Sequence, residues 1–482
     1  MTVNNRAFRP VLTFLSSADK KSIFKTALAI LAEVGMEIQH DEALTLLHGA
    51  GCSIEADKIV KIPESLVTEA IENAPVNVSI FDREGNPAME LGGYRAYFGT
   101  GSDLLYTLDP EKVERRLSKL DDVVRAARVC DALANIDFIM SCSHPSDISP
   151  QRTYLLSFKA MAENSSKPIV CTAENRDDLR GMWEIANVLR ESQDRLLSMP
   201  YFIHYAEPIS PLKHPFASLD KLLFCAEKQI PVIYSPAPIA GSTAPMTIAG
   251  HVAQGLAESL CGLVIHQLKE KRAPFLLGMG PAVLDMITGE CSYNAPEYYL
   301  AYMAMIEMSH YLDLPSWGYA GTTDSQIPDG QATFEAGLIT FLSAFAGANL
   351  NHDVGYMDFG RVGSLVMIVI TAEIIDQVRR MIKGIPVNDE MLAMDAIRNV
   401  GHSENFLTHE HTFKHYRSTQ WRPTLFNRMG HDEWEEKGKL SLLERARGRL
   451  LEILETHRPI EIPEKKLRKI EAIIRLMGEE FS

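Results

Sequence analysis

Eight short apolar runs, each followed by a stretch of helical periodicity, occupy the middle of the chain and constrain its fold more than any other feature. The runs cover residues 94–99, 136–141, 168–172, 201–206, 231–235, 274–279, 316–320 and 349–354. Helical spacing fills the gaps, for example over 120–134 with Ser118 as a cap, over 248–268, and over 365–382 with Gly384 and Pro386 as stops. Parallel strands need a crossover helix between them, and eight strand–helix units close a cylinder. The expected fold class is α/β: a (β/α)8 TIM barrel over residues 93–384. An open doubly wound sheet uses the same alternation, but no G-x-G-x-x-G opens a strand–helix turn.

The flanks follow a different rhythm. In residues 1–92, Ile23, Ala27, Ile30, Leu31 and Val34 recur at helical spacing before Gly35, and further helices fit residues 41–48 and 63–73. Residues 76–81 and 88–91, joined by Asp82-Arg83-Glu84-Gly85-Asn86, suggest a hairpin. The expectation is an N-terminal helical and β-hairpin extension. Residues 385–482 return to helices, with exposed ones over 433–455 and 464–477 and an irregular stretch rich in His and aromatics at 402–425. These form a C-terminal helical extension.

Charge narrows the partners. The 482 residues carry 48 Lys and Arg against 63 Asp and Glu, a net charge of -15. Nucleic acid and anionic membrane surfaces need clustered cations, so neither is expected as a partner. The seven cysteines include no C-x-x-C, which suggests reduced thiols in the cytoplasm. Residues 1–10 contain no apolar core of a secretory signal, and the longest apolar run, 365–370, is far too short to span a bilayer. A homo-oligomer is expected for a barrel of this size.

In a barrel, chemistry sits at the C-terminal strand ends and the loops that follow. Those ends carry Tyr97, Phe98, Tyr205, Tyr234, Trp317, Tyr319, Tyr356 and Phe359, together with carboxylates such as Glu207 and Asp324. Aromatic faces near carboxylates suit a quaternary ammonium. Such a cation donates no conventional hydrogen bond and is held by ring quadrupoles, roughly 0.5–2 kcal/mol per face. Core filling is the alternative for each ring. Gly99-Thr100-Gly101-Ser102 fits a phosphate cradle or a tight turn. Cys142 and Cys171 with His144 or His204 lack zinc-site spacing, and His409, His411 and His415 lie outside the barrel units, so no metal site is expected. No P-loop, G-x-S-x-G or H-E-x-x-H occurs.

Several segments resemble the trimethylamine methyltransferase family of corrinoid-dependent enzymes. They are residues 235–250 (SPAPIAGSTAPMTIAG), 318–326 (GYAGTTDSQ) with 329–332 (DGQA), 346–350 (AGANL) and 405–412 (NFLTHEHT). The resemblance spans nearly the whole chain. Family members proper carry pyrrolysine and demethylate trimethylamine. That residue aligns with 357–360, near Phe359, where this sequence holds only standard residues. The chain therefore resembles the pyrrolysine-lacking branch, which includes glycine betaine:corrinoid methyltransferase and relatives acting on proline betaine, carnitine or butyrobetaine.

The resemblance implies methyl transfer from a quaternary amine, glycine betaine first, to the Co(I) of a cognate corrinoid protein, leaving dimethylglycine. Corrinoid is supplied by that partner and no cofactor is tightly bound. One-carbon metabolism of the methanogenic or acetogenic type is the implied setting. The expected cage is Tyr97, Tyr205, Trp317 and Phe359, with Tyr319 also lining the substrate site. His204, His352 and Arg361 are the expected donors to a betaine carboxylate. Asp324, in a matching motif, and Phe359 are the expected catalytic residues. Residues 402–421 are the candidate for shaping the surface toward the corrinoid partner. A metal-assisted barrel enzyme and a non-catalytic betaine-binding protein are the competing classes.

Overall fold

The computed structural model describes residues 9–402 and 404–479; the N-terminal stretch searched for a signal falls, at 1–8, outside the described residues. Eight parallel strands close into a ring. They are β1 Tyr97–Phe98, β2 at 138–139, β3 Ile169–Cys171, β4 Phe202–Ala206, β5 Val232–Tyr234, β6 Phe275–Leu277, β7 Trp317–Tyr319 and β8 Leu350–His352. Pairing runs Gly99 with Phe138, Ile139 with Ile169, Ile203 with Val170, Tyr205 with Ile233, Ile233 with Leu276, Leu277 with Ser316 and Gly318 with Asn351. Phe98 pairs with Asn351 and closes the cylinder. All eight apolar runs of the sequence supply one staff each, so the chain is a (β/α)8 barrel.

Each strand is followed by its helix: α1 Leu120–Ala132, α2 Thr153–Asn164, α3 Arg176–Arg190, α4 Phe216–Lys228, α5 Ile248–Lys269, α6 Pro296–Tyr311, α7 Gly330–Ala346 and α8 Leu365–Ile382. Asn175, Asp329 and Ser364 cap α3, α7 and α8 through their side chains. Ser118 does not cap α1. It is buried and donates to Leu104 O, while Asp122 accepts the Lys119 N–H. α5 is long and apolar enough to cross a membrane by length and composition, and 83% of its apolar 18-residue window is buried inside the protein. The reason is its position: it lies between the barrel and the N-terminal helices Ser17–Ala29, Asp41–Gly49 and Glu64–Asn73. A helix covered on all sides needs no polar face.

Strand alternation sorts the side chains. Val170, Ile203, Ile233, Leu276, Trp317 and Leu350 point inward and form one apolar cluster with Phe138 and Met140. Val78, Ile80, Met89 and Leu91 belong to the same cluster. They come from the hairpin Val78–Phe81 and Pro87–Leu91, which therefore plugs the N-terminal end of the barrel.

The C-terminal helices lie on the outer wall. Leu442–Thr456 packs on α8 and α1, and Glu464–Glu479 packs on α3. Ala446, Leu450, Ile453 and Ile470 are buried in these contacts. The expected exposure of these helices is thus corrected: their apolar residues at helical spacing form a docked stripe. The end of the 402–421 stretch is also fixed to the wall. Trp421 Nε1–H donates to Asp376 at 2.7 Å, and Glu373 accepts the N–H groups of Thr424, Leu425 and Phe426. Asp376 lies toward the C-terminal end of α8, on the plugged side of the barrel, so this end does not shape the mouth.

Candidate active site

Three of the aromatic side chains expected at the rim meet inside the upper barrel, together with His352, an expected carboxylate donor. The Trp317 indole stacks on the His352 imidazole at 4.0 Å between centroids, with Tyr205 5.7 Å from Trp317 and Tyr319 4.6 Å from His352. Trp317, the first residue of β7, joins this stack to the apolar cluster below it, while Tyr205, Tyr319 and His352 lie at or next to the C-terminal ends of their strands. Glycine makes room: Gly280 faces the same space, and a Cβ there would stand 2.9 Å from Tyr319 Oη. Trp317 is 1% exposed and its N–H has no partner, whereas Tyr205 keeps an accessible face.

Carboxylates line the same mouth. Tyr205 Oη–H donates to Glu207 Oε2 at 3.0 Å. Glu207 is exposed to the space above the barrel, yet the surrounding strand ends desolvate it and push its carboxyl up to about 7. Asp353 ends β8 in a left-handed conformation, φ 74°, and is 3% exposed. Its Oδ1 has no hydrogen-bond partner and lies 3.2 Å from His352 Nε2. Burial raises the Asp353 carboxyl well above the usual range and lowers His352 to about 3. His352 Nδ1 lies 2.7 Å from Gly318 O, an oxygen that only accepts, so this nitrogen carries the proton and Nε2 is bare. Asp103 and His144 add a second pair, 3.8 Å apart, whose contact raises the imidazole pKa.

Two loop structures roof the site. One is the hairpin of Tyr356–Met357 and Val362–Gly363, whose Tyr356 hydroxyl donates to Ser102 O. Gly101 lies against it, where a Cβ would overlap both the Tyr356 ring and the Asp353 carboxyl. At the hairpin tip Asp358, Phe359 and Gly360 are all left-handed, with φ 52°, 56° and 73°. Left-handed residues other than glycine cost about 1–3 kcal/mol each, and such strain collects at functional sites. The other roof is the turn carrying Tyr293. Asp324 fixes it by accepting the Ser292 hydroxyl and, at 3.1 Å, the Tyr293 N–H.

These placements revise several expectations. Tyr97 is inside the barrel but at the wrong end: its hydroxyl accepts the Glu90 N–H of the plug at 3.1 Å. β1 is only two residues long, so Tyr97 lies below the level its position in a longer run suggested. His204 points outward, since Ile203 and Tyr205 face in; burial and the nearby Lys221 charge keep its imidazole well below the usual range. Arg361 pairs with Glu290 and covers the Phe359 ring at 5.6 Å, so neither reaches the mouth floor. Asp324 acts on Tyr293 and does not face the open mouth. Tyr234 faces the helix layer, stacked on His214. Tyr293 escaped sequence reasoning because it lies in a loop with no periodic signal. Asp353 was visible as a strand-end acid, but its burial was not. Among the described residues, no three His, Cys, Asp or Glu side chains are grouped to hold a metal ion. All seven cysteines are unpaired, six of them buried.

The arrangement sets π-faces beside carboxylates, with no group of three metal-ligating side chains among the described residues. A family model described as trimethylamine methyltransferase matches residues 3–481. The chain is 30% identical over 471 residues to a trimethylamine methyltransferase of Desulfitobacterium hafniense, covering 98% of this chain and 95% of that one. It is 27% identical over 475 residues to a glycine betaine methyltransferase of Desulfitobacterium hafniense strain Y51, covering 98% of each. A solved monomethylamine methyltransferase of Methanosarcina barkeri is similar at 13% identity and a TM-score of 0.47, covering 92% of this chain and 95% of that one.

Proposed function

The chain belongs to the trimethylamine methyltransferase family and is a methyltransferase, and from that premise we propose that it moves a methyl group from a quaternary amine to the Co(I) of a corrinoid held by a partner protein. The observation that carries this reading is the cluster of Tyr205, Trp317, Tyr319 and His352 beneath Glu207 and Asp353 at the barrel mouth. In the transfer one C–N bond breaks and one Co–C bond forms. The electron pair of the broken bond stays on nitrogen, and a neutral tertiary amine leaves. A quaternary nitrogen already carries its charge, so departure needs no general acid. What the protein supplies is position: a methyl held outward, in line with the attacking metal.

Aromatic faces bind the ammonium without a fixed hydrogen bond, so they lose little as its charge disperses. Glu207 supplies the long-range attraction. The resemblance puts glycine betaine first among the substrates, with proline betaine, carnitine, butyrobetaine and trimethylamine as alternatives. The partner corrinoid protein, a homo-oligomeric state and a cytoplasmic location belong to the same reading.

The test is a panel of these amines with choline, each mixed with the protein and cob(I)alamin, followed by the absorbance of methylcobalamin. Methyl transfer from at least one quaternary member supports the reading. Binding without transfer would leave a betaine-binding protein, and a requirement for added metal would point to a metal-assisted enzyme.

A further inference from the structure

This inference rests on the reading that an ammonium docks beside Glu207, and it concerns the rest of that molecule. The hairpin plug leaves the mouth as the one open end of the barrel, so a methyl to be transferred faces outward. The remaining arm of the substrate then lies against the floor and walls. The charged groups it meets there are carboxylates, with the hydroxyls of Ser235 and Tyr319 beside Tyr205. Glu207 already receives the Tyr205 hydroxyl and offers its other oxygen. Asp103 offers a second carboxylate across the mouth.

Asp353 lies beside the ring stack, directly after His352 and against Gly101. The bare Nε2 of His352 lies 3.2 Å from Asp353 Oδ1, and two lone pairs at that distance repel. A proton on Oδ1 removes the conflict, and it leaves the second Asp353 oxygen as an acceptor. The cations that an anionic arm needs are engaged elsewhere. Lys221 Nζ donates to Ala173 O at 2.5 Å, Arg361 pairs with Glu290, His144 is held by Asp103, and His204 faces the helix layer. The unpartnered Trp317 N–H is sealed beneath the ring stack. A carboxylate only accepts hydrogen bonds, whereas an alcohol can donate one.

Against the substrate order that the resemblance suggests, we propose that the mouth selects a quaternary ammonium whose arm ends in a neutral hydrogen-bond donor, a choline-type alcohol, over one whose arm ends in a carboxylate. Choline and glycine betaine differ only at that terminus, and tetramethylammonium lacks the arm. Calorimetric titration of the full chain with these three compounds tests the proposal without relying on methyl transfer. Choline is expected to bind at least about tenfold more tightly than glycine betaine, and more tightly than tetramethylammonium. Asp353→Ala should bring choline down to the tetramethylammonium level, and Asp353→Asn, which keeps an acceptor oxygen and tolerates a left-handed backbone, should restore it.

Glycine betaine binding as tightly as choline overturns the proposal, and so does choline binding no better than tetramethylammonium. Should Asp353→Ala fail to fold, the wild-type panel decides alone. If choline binds as expected but no amine of the panel gives methylcobalamin, the methyl-transfer reading fails while this selectivity stands. If none of the three binds, both fall.

Discussion

Tyr205 donates its hydroxyl proton to Glu207 Oε2 at 3.0 Å, so the accessible ring and the accessible carboxylate of the mouth form one unit on a single strand end. Their spacing of two residues follows from β geometry, which returns every second side chain to the same face.

Glu207 makes ammonium binding depend on pH. Its carboxyl, pushed up to about 7 and facing Tyr205, Asp103 and Lys221, holds a cation only when ionised. Affinity should fall by up to about tenfold per unit as pH drops below about 7 and level off above it. The fold responds with the opposite sign. A carboxyl raised from 4.5 to about 7 stabilises the ligand-free protein at low pH, and that contribution is lost as pH rises through this window. Ammonium-induced thermal shifts should therefore be larger at pH 8 than at pH 6. Glu207→Gln should flatten the profile; an unchanged profile would assign it to another group, such as His144.

Tyr205→Phe keeps the ring and deletes the proton donated to Glu207. That hydrogen bond lowers the carboxyl against desolvation, so its loss should move the midpoint of the binding profile above 7. Binding at pH 9 should change little. A midpoint moving down would contradict the assigned donor.

Asp324 should act through Tyr293. Asp324→Ala removes the acceptor for Ser292 and for the Tyr293 N–H, and should raise KM for the amine several-fold. On a Tyr293→Ala background the same substitution should add almost nothing, because a residue without its own contact to substrate has no second effect to lose. Additive losses in the double-mutant cycle would place Asp324 itself against the substrate.

Tyr97→Phe separates the plug from the mouth. It strips the acceptor from the Glu90 N–H and should cost about 1–3 kcal/mol in chemical denaturation. Affinity for the ammonium should be unaffected, since Tyr97 Oη lies at the opposite end of the barrel from Glu207.

Glu373→Ala should loosen the C-terminal wall. One carboxylate gathers three successive backbone N–H groups and the Thr424 hydroxyl, so its loss should cost at least about 2 kcal/mol. Limited proteolysis within residues 385–440 should accelerate, with the barrel core intact.

The barrel was legible because strand and helix periods alternate without interruption, and buried parallel strands such as Val232–Tyr234 are apolar on both faces. The same uniformity hid the site. A strand buried on both sides does not announce which side chain faces the lumen, so His204 and Tyr205 looked equally suited to it until the register fixed Tyr205 inward. Depth was also invisible: Tyr97 and Trp317 both begin barrel strands and touch the same inner cluster, yet Tyr97 turns its hydroxyl to the plug while Trp317 stacks on His352. Asp324 was prominent through its motif, and that motif turns out to build a turn. Tyr293 and the burial of Asp353 depend on contacts between distant segments, which no local spacing encodes.

The plug has a kinetic consequence. A barrel stoppered by Val78, Ile80, Met89 and Leu91 is a cul-de-sac, and under the proposed function its single doorway would serve the incoming amine, the outgoing amine and the cobalt carrier alike. Arrival would then be compulsory in sequence. The small molecule would enter first, the carrier would seal it in, and the demethylated product would stay trapped until the carrier departs. Turnover should accordingly slow when the carrier is in large excess, since a doorway that stays covered admits nothing.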